Sequence, residues 1–172
     1  MDLSTFFMLG FATVVGIAIA VVAMGAMNKD KKVRTKYDER QKIARGKSYA
    51  WGFYAAIATA AIFTFLSALD LMKFFGNYAY FAIIIAGVTV QATHAILHDA
   101  YVGLNTNLKS YMIFMAIIGL VNGASAVSGI ISGAMLEDGV LQMPFMNLLC
   151  AVMFIVLAVV MGVKHLIDKK EK

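Results

Sequence analysis

Five stretches of this chain stay apolar for about twenty residues each, the length a helix needs to cross the hydrocarbon layer of a bilayer. They are residues 5–27, 48–69, 78–97, 111–135 and 144–163. In lipid every backbone N–H and C=O must find its partner within the protein, so a spanning segment is either a helix or one strand of a closed barrel. Barrel strands alternate apolar and polar residues over about ten positions, whereas these runs are apolar throughout. The expected fold is all-α: one domain over residues 1–172, an integral membrane bundle of five transmembrane helices. Composition agrees, since 61% of the residues are hydrophobic against roughly 45–50% in a soluble domain.

Lysine and arginine orient the bundle, because they gather in the cytoplasmic loops. With five spans, the segments 28–47, 98–110 and 164–172 share one side, and together they hold fourteen of the fifteen Lys and Arg residues. The other side holds Lys73 against Asp2, Asp70, Glu137 and Asp138. This predicts a cytoplasmic basic side, with the N-terminus outside and the C-terminus in the cytoplasm. A four-span reading would put the two basic segments on opposite faces. The opening "MDLSTFF" carries no cation ahead of the first apolar stretch. That stretch also exceeds the roughly 7–15 residues of a secretory signal core, so a retained span is expected.

The outer connections are short. Asp138-Gly139 is a turn signal, and Pro144 suits the first turn of the last helix, where its missing N–H is not needed. Tyr49, Trp51, Tyr78, Tyr80, Tyr101 and Tyr111 lie near the expected interfaces, as an aromatic belt does. Small residues recur at fourfold spacing and let helices approach closely in lipid: Ala12, Gly16 and Ala20; Gly52, Ala56 and Ala60; Gly119 and Gly123; Ser125, Gly129 and Gly133; Ala158 and Gly162. Two ridges on the fourth span leave one for a second copy of the chain, so a homo-oligomer is among the expected partners. The lone Cys150 sits in an apolar run, excludes an intramolecular disulfide and reads as packing.

The connector "NKDKKVRTKYDERQKIARGK" is the largest piece outside the membrane. Thr35 and Asp38 have capping-box spacing, which predicts a helix from about residue 35, supported by an Asp38–Lys42 pair and continuing into the second span. Its cations Arg40, Lys42, Arg45 and Lys47 form the expected contact surface for anionic lipid or a protein partner. No nucleic-acid recognition motif accompanies the charge. The stretch "YDERQKIARGKSYAWGFY" resembles a group of uncharacterised small multi-pass membrane proteins of Gram-positive bacteria. Their Asp-Glu-Arg motif precedes an apolar helix, as Asp38, Glu39, Arg40 and Ile43 do here. The resemblance covers about a tenth of the chain. It implies a bacterial inner-membrane protein and carries no activity.

Walker loops, nucleophile elbows and zinc-protease motifs are absent from the sequence. Chemistry, if present, would centre on "QATHAILHDAYVGLN". On a helix, Gln91, His94 and His98 share a face. The two histidines could offer imidazoles to one divalent metal ion, with Asp99 orienting a ring and His165 supplying a third nitrogen. The competing reading is a helix end meeting water. In the fourth span, Asn122, Ser125 and Ser128 are polar near mid-membrane. With Gln91 they could line a small polar cavity, Asn122 bonding across to Gln91 or Thr93. Three functions follow in order: a non-enzymatic accessory or regulatory module using the basic connector; a small transporter or channel using the polar residues of the third and fourth spans; and a membrane enzyme or metal site at His94, His98 and Asp99.

Overall fold

A computed structural model describes residues 25–32 and 34–170, together with residues 14, 18, 19 and 21–23. The expected first span, with its Ala12, Gly16 and Ala20 ridge, therefore lies largely outside the described residues. Four helices among the described residues are long and apolar enough to cross a membrane. They are α1 (Glu39–Ala68), α3 (Tyr78–Leu97), α4 (Leu108–Ile131) and α5 (Met143–Lys170), with a short α2 (Met72–Phe75) between the first two.

The basic connector does run into the second span as one helix, but α1 starts four residues later than the Thr35 signal suggests. Asp38 is its cap: the Gln41 amide donates to Asp38 Oδ1 at 2.7 Å, and the Asp38 amide donates to Gln41 Oε1 at 3.3 Å. The capping box is thus Asp38–Gln41. Thr35 is held in an irregular segment against Gly103, whose missing Cβ leaves room for the Thr35 methyl and the Lys36 carbonyl. Lys42 pairs with Glu39 at 2.6 Å rather than with Asp38.

At the opposite end, Asp138 and Gly139 both take positive φ and close a two-residue hairpin between β1 (Leu136–Glu137) and β2 (Val140–Leu141). Two positive-φ residues are what a type I′ turn needs. The sequence signalled the turn; the two short strands were not foreseen. The hairpin ends α4 at Ile131 instead of carrying it to residue 135, and Pro144 falls in the first turn of α5 as expected.

Helices α1 and α3 pair, α3 packs on α5, and α5 packs along the length of α4, so the lateral order is α1, α3, α5, α4. Backbone approach sets this order. A Cβ at Gly52 would stand 2.8 Å from the Gly87 carbonyl and 2.6 Å from Gln91 Cβ, which brings α1 and α3 together. Gly119 meets Ile155 and Phe154, and Gly129 receives Pro144, which brings α4 onto α5. The buried core joins α3 and α5 through Ala92, Ile96, Met153, Leu157 and Met161. Outward faces are apolar and exposed, among them Phe65 on α1, Ile131 on α4 and Val159 on α5, as a lipid-facing surface must be. Tyr49, Trp51 and Tyr80 are exposed. Tyr101 and Tyr111 instead turn inward and meet edge to face at 5.7 Å.

This order corrects the expected polar cavity. Because α5 stands between α3 and α4, Gln91 lies over Gly52 on the α1 side. Asn122 donates to the Ile118 carbonyl of its own helix at 2.9 Å, and Ser125 to the Val121 carbonyl at 3.1 Å. Ser125 and Ser128 are exposed. The bond from Asn122 to Gln91 or Thr93 is not formed, and these side chains do not enclose a common path.

Candidate functional site at the basic end

The connector, the loop after α3 and the end of α5 meet at one end of the bundle. The connector is not a free tether. Met27, Lys29 and Lys36 are stitched to residues 104–107 by main-chain bonds: the Lys29 amide to the Asn105 carbonyl at 2.6 Å, the Leu104 amide to Lys36 at 2.9 Å and the Asn107 amide to Met27 at 2.9 Å. Two buried asparagines complete the seam. Asn105 Nδ2 donates to Asp30 Oδ1 and to the Arg34 carbonyl, each at 3.1 Å, while its Oδ1 accepts from the Lys36 amide at 2.8 Å. Asn28 Nδ2 donates to the Lys32 carbonyl and its Oδ1 accepts from the Thr106 hydroxyl, both at 2.6 Å. Gln41, also buried, donates to the Asp99 carbonyl at 2.6 Å and the Val102 carbonyl at 3.3 Å. Amide side chains suit the work because each both donates and accepts. The bond from Asn105 holds the Asp30 carboxyl below the usual carboxylate range, with help from the Lys32 amide and from Lys36.

Helix α3 ends in a Schellman motif: the Ala100 amide returns to the Ala95 carbonyl at 2.8 Å and the Asp99 amide to Ile96 at 3.1 Å. Asp99 occupies the left-handed position with φ 56°, where glycine is usual. Its carboxylate reaches Lys164 Nζ at 3.1 Å, and Lys164 also holds Asp168 at 2.6 Å. The bond from Asp168 holds the Lys164 ammonium above its ordinary range, and Asp99 adds to the effect. A cleft of about 260 Å³ lies here, bounded by Gln41, Asp99, Tyr101, Lys164, His165 and Asp168 over an apolar floor of Ile96, Leu108 and Met161.

The two histidines of α3 stack ring on ring, 4.1 Å between centroids and 14° between planes. Ser48 Oγ lies 2.9 Å from His94 Nδ1 and 2.8 Å from the Ala44 carbonyl. Ser48 has one proton; with it on the carbonyl, His94 Nδ1 is the donor. His98 Nδ1 faces the His94 carbonyl at 2.8 Å; a carbonyl only accepts, so this nitrogen carries hydrogen. Trp51 also stacks on His94, 6.1 Å between centroids.

A metal ion bound by imidazole lies in the plane of the ring, and two near-parallel rings stacked this way do not share one. Asp99 is engaged with Lys164, and His165 belongs to the cleft. Among the described residues no three His, Cys, Asp or Glu side chains gather as a metal site requires. The expected convergence of His94, His98, Asp99 and His165 is not formed. Helix stacking and a Schellman turn use the same residues instead.

Of the expected contact residues, Arg40, Lys42 and Lys47 are exposed. Arg45 is not available in the same way: its guanidinium lies 4.1 Å over the Tyr37 ring and donates to the Tyr49 hydroxyl at 3.1 Å. The residues that build the site, Asn28, Gln41, Ser48 and Asn105, were missed by sequence reasoning. Their one signal was that each is a neutral polar side chain beside a basic or turn-rich stretch. No protein-family model, no curated protein and no solved structure matches the chain.

Proposed function

We propose that this chain is a non-enzymatic accessory or regulatory protein of the bacterial cytoplasmic membrane, with its N-terminus outside and its C-terminus in the cytoplasm. It acts by presenting a preformed basic platform to anionic lipid or to an acidic partner. The carrying observation is the asparagine and glutamine seam. A connector serving only to set topology needs charge but no fixed shape, whereas here Asn28, Gln41 and Asn105 fix its path against the 98–107 loop. Positions 28–47, 98–110 and 164–172 together carry fourteen Lys and Arg, and each cation near an anionic surface contributes about 1 kcal/mol.

The geometry supports this reading over transport, because α5 separates the polar residues of α3 from those of α4. The test is purification of the full chain and of an R40E/K42E/K47E variant from the same membranes, scoring co-purified protein and lipid class. The expected result is loss of the partner or of the anionic lipid from the variant. An unchanged set of both overturns the reading.

A further inference from the structure

A second cleft, of about 530 Å³, opens on the connector itself and is lined by Lys32, Arg34, Thr35, Lys36, Tyr37 and Lys42. Four of these six are cations. Their convergence follows from the backbone. Exposure alternates along the segment, with Lys32, Arg34 and Lys36 exposed and Thr35 and Tyr37 half-buried. Three of the four have their main chain held by a buried amide: Lys32 by Asn28, and Arg34 and Lys36 by Asn105; Lys42 sits on the first turn of α1. Like charges lining one cleft repel one another, and the repulsion is relieved when an anion sits among them.

The neighbouring acids compensate only in part. Lys36 reaches Asp30 at 3.3 Å and Lys42 reaches Glu39 at 2.6 Å. Both lysines are mostly exposed, so these pairs are weak and can yield to a stronger anion. Lys32 and Arg34 have no ion pair among the described residues. Height matters too. Tyr49, Trp51 and Tyr54 are exposed on α1, and exposed aromatic residues at a helix end suit a membrane interface. Lys42 precedes Tyr49 by about two turns, or ~10 Å, so the cleft lies beyond these aromatic residues, on the side away from the apolar part of α1.

We propose that this cleft is a binding site for a phosphate group, with Arg34 gripping two of its oxygens through the guanidinium fork and Lys32, Lys36 and Lys42 supplying the remaining charge. The site rests on the reading of this end as an anion-facing platform and narrows it to one place and one chemistry. The phosphate can be carried by a lipid or by a soluble compound.

The full chain, reconstituted in phosphatidylcholine nanodiscs, is titrated with short-chain phosphatidic acid and, separately, with inorganic pyrophosphate. Saturable binding of either probe to one site is expected. Saturation by the lipid alone assigns a lipid source, and saturation by pyrophosphate a soluble one. K32Q/R34Q/K36Q should weaken binding by about tenfold or more, and R34K alone by several-fold because the fork is lost. K109Q/K169Q/K170Q removes as many charges from the same end, at exposed positions outside the cleft, and should change binding by less than about threefold. Unchanged thermal unfolding confirms that each variant is folded. Absence of saturation in the wild type overturns the site. Equal weakening by both triple variants also overturns it, while leaving the general platform standing. No effect of either triple variant on a saturating probe overturns both.

Discussion

Gln41 Nε2 donates to the Asp99 carbonyl at 2.6 Å, joining the first turn of α1 to the residue that closes α3. The same side chain accepts from the Asp38 amide at 3.3 Å, so one buried amide caps a helix and anchors a loop. Gln41→Ala leaves the Asp99 and Val102 carbonyls without their donor in a part-buried setting. It should cost about 1–3 kcal/mol, read as a lower thermal midpoint of the protein in detergent. Gln41→Glu keeps the acceptor and loses both donors, and should be at least as damaging. A midpoint equal to wild type in both variants would show that the seam does not hold the basic end.

Close approach of α1 and α3 depends on Gly52. Its Cβ would lie 2.8 Å from a backbone carbonyl that cannot move aside cheaply. Gly52→Leu should separate the pair, seen as loss of a cysteine crosslink engineered between α1 and α3. Gly46 meets nothing within 4 Å. Gly46→Ala should be neutral or stabilising by about 0.5–1 kcal/mol, the ordinary helix preference for alanine.

Asp99 is held at φ 56°, a conformation that glycine adopts without penalty. Asp99→Gly relieves that strain and gives up the ion pair with Lys164, whose partner carboxylate is about half exposed. The two effects oppose each other and each is about 1 kcal/mol or less, so stability should barely change. Asp99→Val loses the pair and adds β-branched strain at positive φ, and should be clearly destabilising. Unfolding midpoints of the two variants side by side decide the matter.

The lowered Asp30 pKa sets the acid response. A carboxyl held below its unfolded value of 3.8 stabilises the fold above that pH. The contribution is lost as pH falls through the lower, folded value. Asp30→Asn should therefore lower the unfolding midpoint at neutral pH and leave a smaller difference from wild type at the acid end of a titration. A constant difference across pH 2–7 would contradict the linkage.

Much of the bundle was legible in the sequence, because burial in lipid leaves a composition signal that survives without any tertiary contact. The spans at 48–69, 78–97, 111–135 and 144–163 each fall on a helix, the third ending at Ile131, and the Asp138-Gly139 turn and Pro144 fall where expected. These depend on backbone pairing and local φ preference. Lateral order did not follow from the sequence. Gly52, Gly119 and Gly129 were recognisable as ridge residues, yet which ridge meets which helix depends on the shape of the partner, and that put α5 between α3 and α4. The histidine pair read as a metal candidate because spacing fixes only the face a residue shares, not the angle between rings. Asn28, Gln41 and Asn105 drew no notice, since an amide becomes structural only when a second segment brings carbonyls and N–H groups within reach. The sequence by itself determined a helical protein with several segments long and apolar enough to cross a membrane, and with one strongly basic side. The tertiary structure alone decided that the basic segment has a fixed shape, because the hydrogen bonds that shape it span 58 to 78 residues of chain.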